Sequence, residues 1–315
     1  MKDPAGAIFH VWRAQGWFVN MFEVASSDPS GSVKFATTES YGVTHVKGGW
    51  QGGRGWQVDG DCYADGKLVN ETCVYLLANK WMIENVFEAL DTPNEWFFDS
   101  AAHKLYLIPN ATAPDTAATA ATAGEAEALA GGAGAAPPPA NTEYVAVQLE
   151  TLISVNGTKA RPVKDVTIQG LTLRDAADIT MNPWGVPSGG DWSLYRGGAI
   201  FVEGAENVLI QHNTLTRLDG NGVFVSGYTR DVNITDNEFS WMGCNPRASW
   251  GYTNENDGLD GQQPRHTYVA RNYVHEWGHY EKQSSMWSNN KACLAQIESN
   301  VVFNGPRAGV NFNDG

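Results

Sequence analysis

The chain carries the sequence Val208-Leu-Ile-Gln-His-Asn213-Thr-Leu215, and its pattern of apolar residues around an Asn returns at residues 232–239, 267–274 and 297–302. The Asn of each copy stands at position 213, 237, 272 or 300, so consecutive copies are 24, 35 and 28 residues apart. A fixed pattern with gaps of variable length is typical of a solenoid, in which each copy is one coil and insertions form loops. The repeat therefore predicts an all-β fold, a β-solenoid.

The Asn column has a structural explanation. Asn tolerates the positive φ of a tight corner, and Asn amides on adjacent coils can hydrogen-bond to one another. Counting back fifteen residues from each Asn reaches Gly198, Gly222, Asp257 and Ser285, and Gly309 continues the series. A short strand is predicted after each of these points, at residues 199–202, 223–225, 258–260, 286–288 and 310–312.

Composition divides the chain into three regions. Residues 1–110 are rich in aromatic side chains and Gly turns, and the sequences Glu95-Trp-Phe-Phe-Asp99 and Leu105-Tyr-Leu-Ile108 predict a hairpin within a β-rich N-terminal region. Residues 111–142 are mostly Ala, Gly, Pro and Thr, which cannot bury a core and indicate an insert or linker. Residues 143–315 hold the repeats, and the sequence stops inside one of them, so we expect the natural protein to continue.

Charge narrows the class of partner. The chain has 21 Lys and Arg against 35 Asp and Glu, a net charge of −14 that repels phosphate backbones and anionic membrane surfaces. Its apolar runs are shorter than the roughly 20 residues of a membrane span. We therefore expect a monomer that binds a polysaccharide or oligosaccharide and neither nucleic acid nor a membrane, with neutral glycans favoured over uronic-acid polymers.

Sequons and cysteines suggest an extracellular or cell-surface glycoprotein. Sequons begin at Asn70, Asn110, Asn156 and Asn233, and the chain has four Cys. Cys62 and Cys73 flank an Asp-Gly turn and could form one disulfide, which leaves Cys244 and Cys293 as a second pair. Two other connectivities, and four free thiols in a cytosolic protein, remain alternatives. No export signal is visible at the N-terminus, which we attribute to truncation.

The predicted strands become polar toward the C-terminus, and three carboxyl groups there are candidate catalytic residues: Asp260, Glu281 and Asp314. Glycoside hydrolysis needs two carboxyls, roughly 5 Å apart for retention and roughly 6.5–9.5 Å apart for inversion. Asp260 and Asp314 would stand two coils apart, at about 9.6 Å by stacking alone. The alternative is that both Asp residues occupy turns and that Glu281 pairs with a neighbouring cation.

Polar and aromatic side chains near these carboxyls are candidate substrate ligands: Trp287, Asn289, Asn311, Asn313, Arg265, Arg307 and His279. Trp250 and Trp277 could offer further flat faces for sugar rings. Arg265, Arg307 and Lys282 could clamp substrate or act as lyase bases, although pairing with carboxylates is the more usual role of such residues.

No metal or other cofactor is expected. The sequence His275-Glu-Trp-Gly-His279 matches the H-E-x-x-H zinc string, but that motif requires a helix, and Gly278 within a β context argues against one. Calcium at Asp257 and Asp260 is an alternative, although residues 254–260 lack the spacing of a complete calcium loop.

Residues 163–315 resemble the pectate-lyase-like right-handed parallel β-helix superfamily, as an uncharacterised branch. The resemblance lies in blocks such as Gly258-Leu-Asp-Gly-Gln-Gln-Pro-Arg265, Tyr280-Glu-Lys-Gln-Ser-Ser285 and residues 303–315. Residues 95–99 and 105–109 are similar to a segment of β-helix glycoside hydrolases, including β-xylosidase-like members. The resemblance implies a right-handed coil with Asp and Glu used on the coil face. The paired-Asp, Gly-His-Gly and Arg-Ile-Lys signatures of polygalacturonases are absent, and so is a pectate-lyase active-site motif.

The sequence as a whole favours a secreted glycoside hydrolase that uses paired carboxylates. One alternative is a polysaccharide lyase acting on a uronic-acid polymer, with calcium at Asp257 and Asp260 and with Arg265 or Lys282 as base. The other is a non-catalytic surface or wall protein that binds glycan.

Overall fold

The computed structural model describes residues 4–12, 19–29, 31–40, 43–46, 63–64, 67–68, 80–109, 143–182, 184–185, 187, 194–253 and 258–313. These residues are all-β, as predicted, apart from a 3₁₀ turn at Phe87–Ala89. They fall into two compact units: residues 1–11, 21–47 and 81–146, and residues 12–20, 48–80 and 147–315. The predicted insert, residues 111–142, lies outside the described residues, and the predicted domain limits stay a prediction.

Ten of the described strands lie ahead of position 110. They are β1 (Ile8–Trp12), β2 (Val19–Ser27), β3 (Val33–Phe35), β4 (Thr37–Ser40), β5 (Val43–Val46), β6 (Tyr63–Ala64), β7 (Lys67–Leu68), β8 (Lys80–Glu84), β9 (Trp96–Asp99) and β10 (Lys104–Leu107). One sheet has the order β3-β2-β1-β8, while β4 pairs with β5, β6 with β7 and β9 with β10. The pairing of β9 with β10, with Phe98 opposite Leu105, confirms the predicted hairpin.

The second unit holds the repeats. Its later strands are β11 (Ile153–Asn156), β12 (Val163–Gln169), β13 (Thr172–Ala176), β14 (Ile200–Gln211), β15 (Thr214–Leu218), β16 (Val223–Thr235), β17 (Glu238–Met242), β18 (Arg247–Trp250), β19 (Pro264–Arg265), β20 (Tyr268–Ala270), β21 (Tyr273–His275), β22 (Ser285–Asn290), β23 (Gln296–Glu298), β24 (Val301–Phe303) and β25 (Ala308–Asn313).

These strands form two parallel sheets. The large sheet follows β11-β14-β16-β18-β22-β25, with β12, β19, β20 and β23 paired beside this path, and the small sheet follows β13-β15-β17-β21-β24. Each pass of the chain contributes to both sheets and stacks on the previous pass, and we call one such pass a tier. Ile210 and Ile234 of the large sheet and Leu215 and Phe239 of the small sheet are buried in one apolar core between the sheets.

Four of the five predicted strands are present, as the starts of β14 and β16 and within β22 and β25. The strand predicted at residues 258–260 is wrong. Those residues form a turn, in which the Gly261 N–H donates to the Gly258 carbonyl at 3.1 Å. Arg247–Trp250 pairs with β16 instead, because the extra residues of this tier follow the strand, whereas the count from Asn272 places them before it.

The Asn column forms a ladder. The Nδ2 groups of Asn213, Asn237 and Asn272 donate to the Oδ1 atoms of Asn237, Asn272 and Asn300 at 3.0, 3.1 and 2.9 Å. Each of these donors also bonds to a main-chain carbonyl, and Asn237, for example, donates to Ile210 O at 2.9 Å. The amide bonding between tiers is therefore confirmed.

The prediction that the Asn residues themselves adopt the positive φ of each corner is wrong. The left-handed residue at each corner is the one before the Asn: His212, Asp236, Arg271 and Ser299 have φ of 52°, 57°, 55° and 56°. The Asn residues are selected by their two-way hydrogen bonding and by burial.

Asn237→Ala is expected to lower the free energy of unfolding by about 2 kcal/mol, since buried partners on both adjacent tiers lose their hydrogen bonds. Chemical denaturation of the two proteins measures the difference. Gln211→Ala is the matched control, because its amide bonds to Gln169 on the exposed surface. Equal losses in the two variants would contradict a special role for the ladder.

The predicted Cys244–Cys293 disulfide is wrong. Both thiols are free. Cys244 is buried beside Ile179 and Trp184, whereas Cys293 forms a β-bridge with Arg265. Cys62 and Cys73 lie outside the described residues. Within the described part of the chain, no helix has the length and apolar character needed to cross a membrane.

Candidate functional site

Asp260 occupies an exposed turn. Its Oδ1 accepts the Gln262 N–H at 2.8 Å, and its carbonyl accepts the ammonium of Lys159 at 2.6 Å. Asp314 and Asp257 lie outside the described residues. The predicted spacing of about 9.6 Å between Asp260 and Asp314 assumed that residues 258–260 form a strand. Because these residues form a turn, the prediction of that spacing no longer holds.

Glu281 is the predicted carboxyl with a perturbed environment. It lies in the turn between β21 and β22, is only 7% exposed, and accepts the Gln283 N–H at 2.8 Å through Oε1. Burial raises the pKa of its carboxyl to about 7, although the Gln283 N–H and the charges of Lys282 and Arg307 act in the opposite direction. Its main-chain N–H donates to Gly243 O at 3.0 Å, which ties this turn to the preceding tier.

Two predicted substrate ligands face the interior. Trp287 is buried in the core, with the guanidinium of Arg247 3.9 Å from its ring centre. Asn289 is buried on the same side of β22 and accepts the hydroxyl of Ser249 at 2.7 Å. Because side chains alternate along a strand, neither is directed toward solvent, and both are left out of the candidate site.

The other predicted ligands are scattered. Asn311 is partly exposed and lies beside Ser288 on the opposite side of the strands, where Asn313 pairs with Asn290 through the backbone. Arg265 donates to Gly258 O at 2.7 Å. Arg307 is exposed and lies within electrostatic reach of Glu281. His279 stacks on Trp241 at 5.5 Å, and burial lowers its pKa.

The predicted sugar platforms are covered by protein. Trp277 is buried, and Gly305 packs directly against its ring. The guanidinium of Arg196 packs over the ring of Trp250, at 4.2 Å from the ring centre. The same guanidinium lies 4.0 Å from the ring centre of Tyr252.

Sequence reasoning missed a pair of carboxyls, Asp178 and Asp219. Asp219 directly follows β15, and Asp178 lies in the corresponding turn after β13. Asp219 is half-buried, and burial, followed by the negative charges of Asp178 and Asp175, raises its pKa to about 6. Asp178 is exposed, and its two oxygens accept the N–H and the hydroxyl of Thr180 at 2.8 and 2.6 Å. Asp219 precedes Gly-Asn-Gly, which resembles an ordinary turn sequence and gave no signal of its own.

The buried thiol of Cys244 lies near three of these carboxyl groups. Burial raises its pKa well above the ordinary value, and the charges of Glu281, Asp178 and Asp219 add to the shift. All three carboxyls therefore lie within electrostatic reach of one atom, at the turns that leave the small sheet. We call Asp178, Asp219 and Glu281 the carboxylate cluster.

A second pair of Asn residues fixes the turns around the cluster. Asn245 donates to Oδ1 of Asn221 at 3.0 Å, and its own Oδ1 accepts the Ser285 N–H at 2.8 Å. Asn221 also donates to the carbonyls of Tyr195 and Gly197 at 3.1 and 2.9 Å. The carboxyls are thus placed on turns whose backbones are bonded from tier to tier.

The comparisons with known proteins support the fold. A solved structure titled "Glycoside hydrolase" is similar to this chain, with a TM-score of 0.68 and 15% sequence identity over 98% of this chain. The chain spans 50% of the length of that protein. At this identity the similarity shows a glycoside-hydrolase-like fold and does not by itself assign an activity. No family model matches the chain, and neither does any curated protein.

In the described part of the chain, no group of three His, Cys, Asp or Glu residues is arranged to hold a metal ion. The H-E-x-x-H string forms the end of β21 and the turn after it, so its two imidazoles do not share a helical face.

Proposed function

We propose that the stacked tiers form a right-handed parallel β-helix and that the protein is a glycoside hydrolase acting on a neutral extracellular glycan. The observation that carries the proposal is the carboxylate cluster, in which a half-exposed acid with a raised pKa lies beside an exposed carboxylate. Hydrolysis of a glycosidic bond requires this combination of a proton donor and an ionised carboxyl. The similarity to a glycoside hydrolase structure agrees with it.

Asp219 is assigned as the general acid. Its raised pKa keeps part of the population protonated near pH 6, and its partial exposure lets the carboxyl reach a bound sugar. It donates its proton to the glycosidic oxygen as the bond to the anomeric carbon breaks. The leaving sugar departs as a neutral alcohol.

Asp178 is assigned as the ionised partner. Both of its oxygens accept hydrogen bonds from Thr180, which fix the orientation of the carboxyl in its turn. Its negative charge stabilises the positive charge that develops at the anomeric carbon. Water then adds to that carbon and gives up a proton to the Asp219 carboxylate, which restores the starting protonation of the pair.

Glu281, predicted from the sequence as catalytic, receives a positioning role in this scheme. It is buried beneath the turn and bonded to the Gln283 N–H, so it acts on the site through the loop that it holds. Arg265 and Lys282, the bases required by the lyase alternative, donate to main-chain carbonyls of Gly258, Gly278 and His279. No observation therefore favours the lyase over the hydrolase.

The proposal is tested by incubating the protein with a panel of neutral and uronic-acid polysaccharides and measuring both reducing ends and ultraviolet absorbance. New reducing ends from a neutral glycan, without new absorbance, are the expected result. Products that absorb in the ultraviolet would indicate β-elimination and overturn hydrolysis. Glycan binding without products would support the non-catalytic alternative.

A further inference from the structure

The outward side of the small sheet carries three exposed aromatic rings. Trp241, Tyr273 and Phe303 are 55%, 46% and 39% exposed, and we call them the aromatic strip. Val274 and Val302, the sequence neighbours of Tyr273 and Phe303, face the core, so strand alternation accounts for the outward direction of Tyr273 and Phe303. Trp241 turns outward at the end of β17, where its φ is 53°.

The rings follow the stacking of the tiers. Tyr273 on β21 and Phe303 on β24 are adjacent, with ring centres 5.5 Å apart. His275 stacks on Phe303 at 5.2 Å with the planes 5° apart, and His279 stacks on Trp241 at 5.5 Å with the planes 13° apart. The rings of Trp241 and Phe303 are therefore each stacked against an imidazole.

Polar acceptors border the strip. Asn304 donates to Oε1 of Glu276 at 2.6 Å, Glu276 also bonds to the imidazole of His275, and Glu238 lies 3.6 Å from the other nitrogen of that ring. Exposed aromatic faces edged by carboxylate and amide groups suit sugar rings, whose C–H faces pack on aromatic rings while their hydroxyls donate to the acceptors. The two carboxylates and the net charge of −14 disfavour polyanions.

We propose that the aromatic strip is a second carbohydrate site, which binds a neutral glycan chain apart from the carboxylate cluster. Its ligand class rests on the proposed function, but binding at the strip requires no turnover. Exposed aromatic surface of this kind marks interaction sites in soluble proteins. The strip approaches the cluster along the chain, because His279 and Trp241 precede Glu281 and Cys244 by two and three residues. A polymer held on the strip would thus be kept close to the cluster.

Affinity electrophoresis of the full chain in gels containing soluble xylan, glucomannan or mixed-linkage β-glucan tests the site. The double variant Trp241→Ala, Tyr273→Ala is expected to bind the retarding glycan roughly tenfold to hundredfold more weakly, from the loss of two stacking contacts. Trp96→Ala is the matched control, since its indole is similarly exposed in the other unit. Thermal unfolding of each variant checks that the fold is retained.

The possible results separate this inference from the proposed function. Retardation lost in the double variant, with unchanged hydrolysis of a short oligosaccharide, supports the second site. Retardation equal to wild type in the double variant, or no retardation of wild type by any neutral glycan, overturns the second site without bearing on the cluster. Self-association that the double variant abolishes, in the absence of glycan retardation, would identify the strip as a protein contact and also overturn the inference.

Discussion

Asp219→Asn is expected to lower glycan hydrolysis by about 10²–10⁴-fold, the range lost when a general acid is removed. The amide preserves the size of the side chain but cannot deliver a proton to the leaving oxygen. Glycan affinity should be nearly unchanged, because the proton transfer contributes only in the transition state. Initial rates and dissociation constants of both proteins on the same glycan measure the two effects.

The pH profile gives a second readout for Asp219. Since a general acid must be protonated, wild-type activity should decline as the pH rises through about 6, the pKa of this carboxyl. Asp231→Asn is the matched control, because Asp231 is an exposed carboxylate on the same unit, 3.4 Å from the imidazole of His266. If Asp219→Asn retained the activity of that control, the assignment of the general acid would be wrong.

Glu281→Gln is expected to stabilise the protein at alkaline pH by up to about 3 kcal/mol, the free energy that corresponds to a carboxyl shifted from its ordinary pKa of 4.5 to about 7. Below pH 4.5 the carboxyl is protonated in both states, and no penalty arises. Between 4.5 and 7 the unfolded chain releases the proton while the folded chain retains it, so wild-type stability falls as the pH rises. Gln remains neutral throughout and still accepts the Gln283 N–H.

Urea unfolding at pH 4.5 and pH 8 measures this difference. The two proteins should be similar at pH 4.5 and diverge at pH 8, with the variant more stable. The control Glu298→Gln changes an exposed carboxyl and should show no such divergence. A variant less stable than wild type at pH 8 would contradict a penalty from burying the ionised carboxyl of Glu281. Activity measured alongside separates a positioning role, with partial loss, from a catalytic one.

The sequence predicted the tier architecture well because that information is local and periodic. The spacing of Asn213, Asn237, Asn272 and Asn300 locates the ladder, and the apolar residues beside each Asn specify the core. The strand at Arg247–Trp250 was missed because its tier is longer than the others, and periodicity does not show on which side of a strand the additional residues lie.

The candidate site was harder to predict. Glu281 could be identified because it lies four residues before Ser285, where the repeat places the start of a strand. Asp178 and Asp219 are 41 residues apart and meet only because tiers of different length stack in register. Trp287 was assigned to the wrong side of its strand, since the count fixed where the strand begins without fixing which of its residues face inward.

The Asn ladder also gives the stack a direction. In the ladder, the amides of Asn213, Asn237 and Asn272 each donate one hydrogen bond to the amide oxygen of the Asn on the tier that follows in the chain. The amide dipoles are therefore aligned head to tail, and each hydrogen bond polarises and strengthens its neighbours. Rotating one amide by half a turn would set oxygen against oxygen on one side and nitrogen against nitrogen on the other. A single Asn amide of the ladder therefore cannot flip without breaking its hydrogen bonds to the Asn amides on both sides.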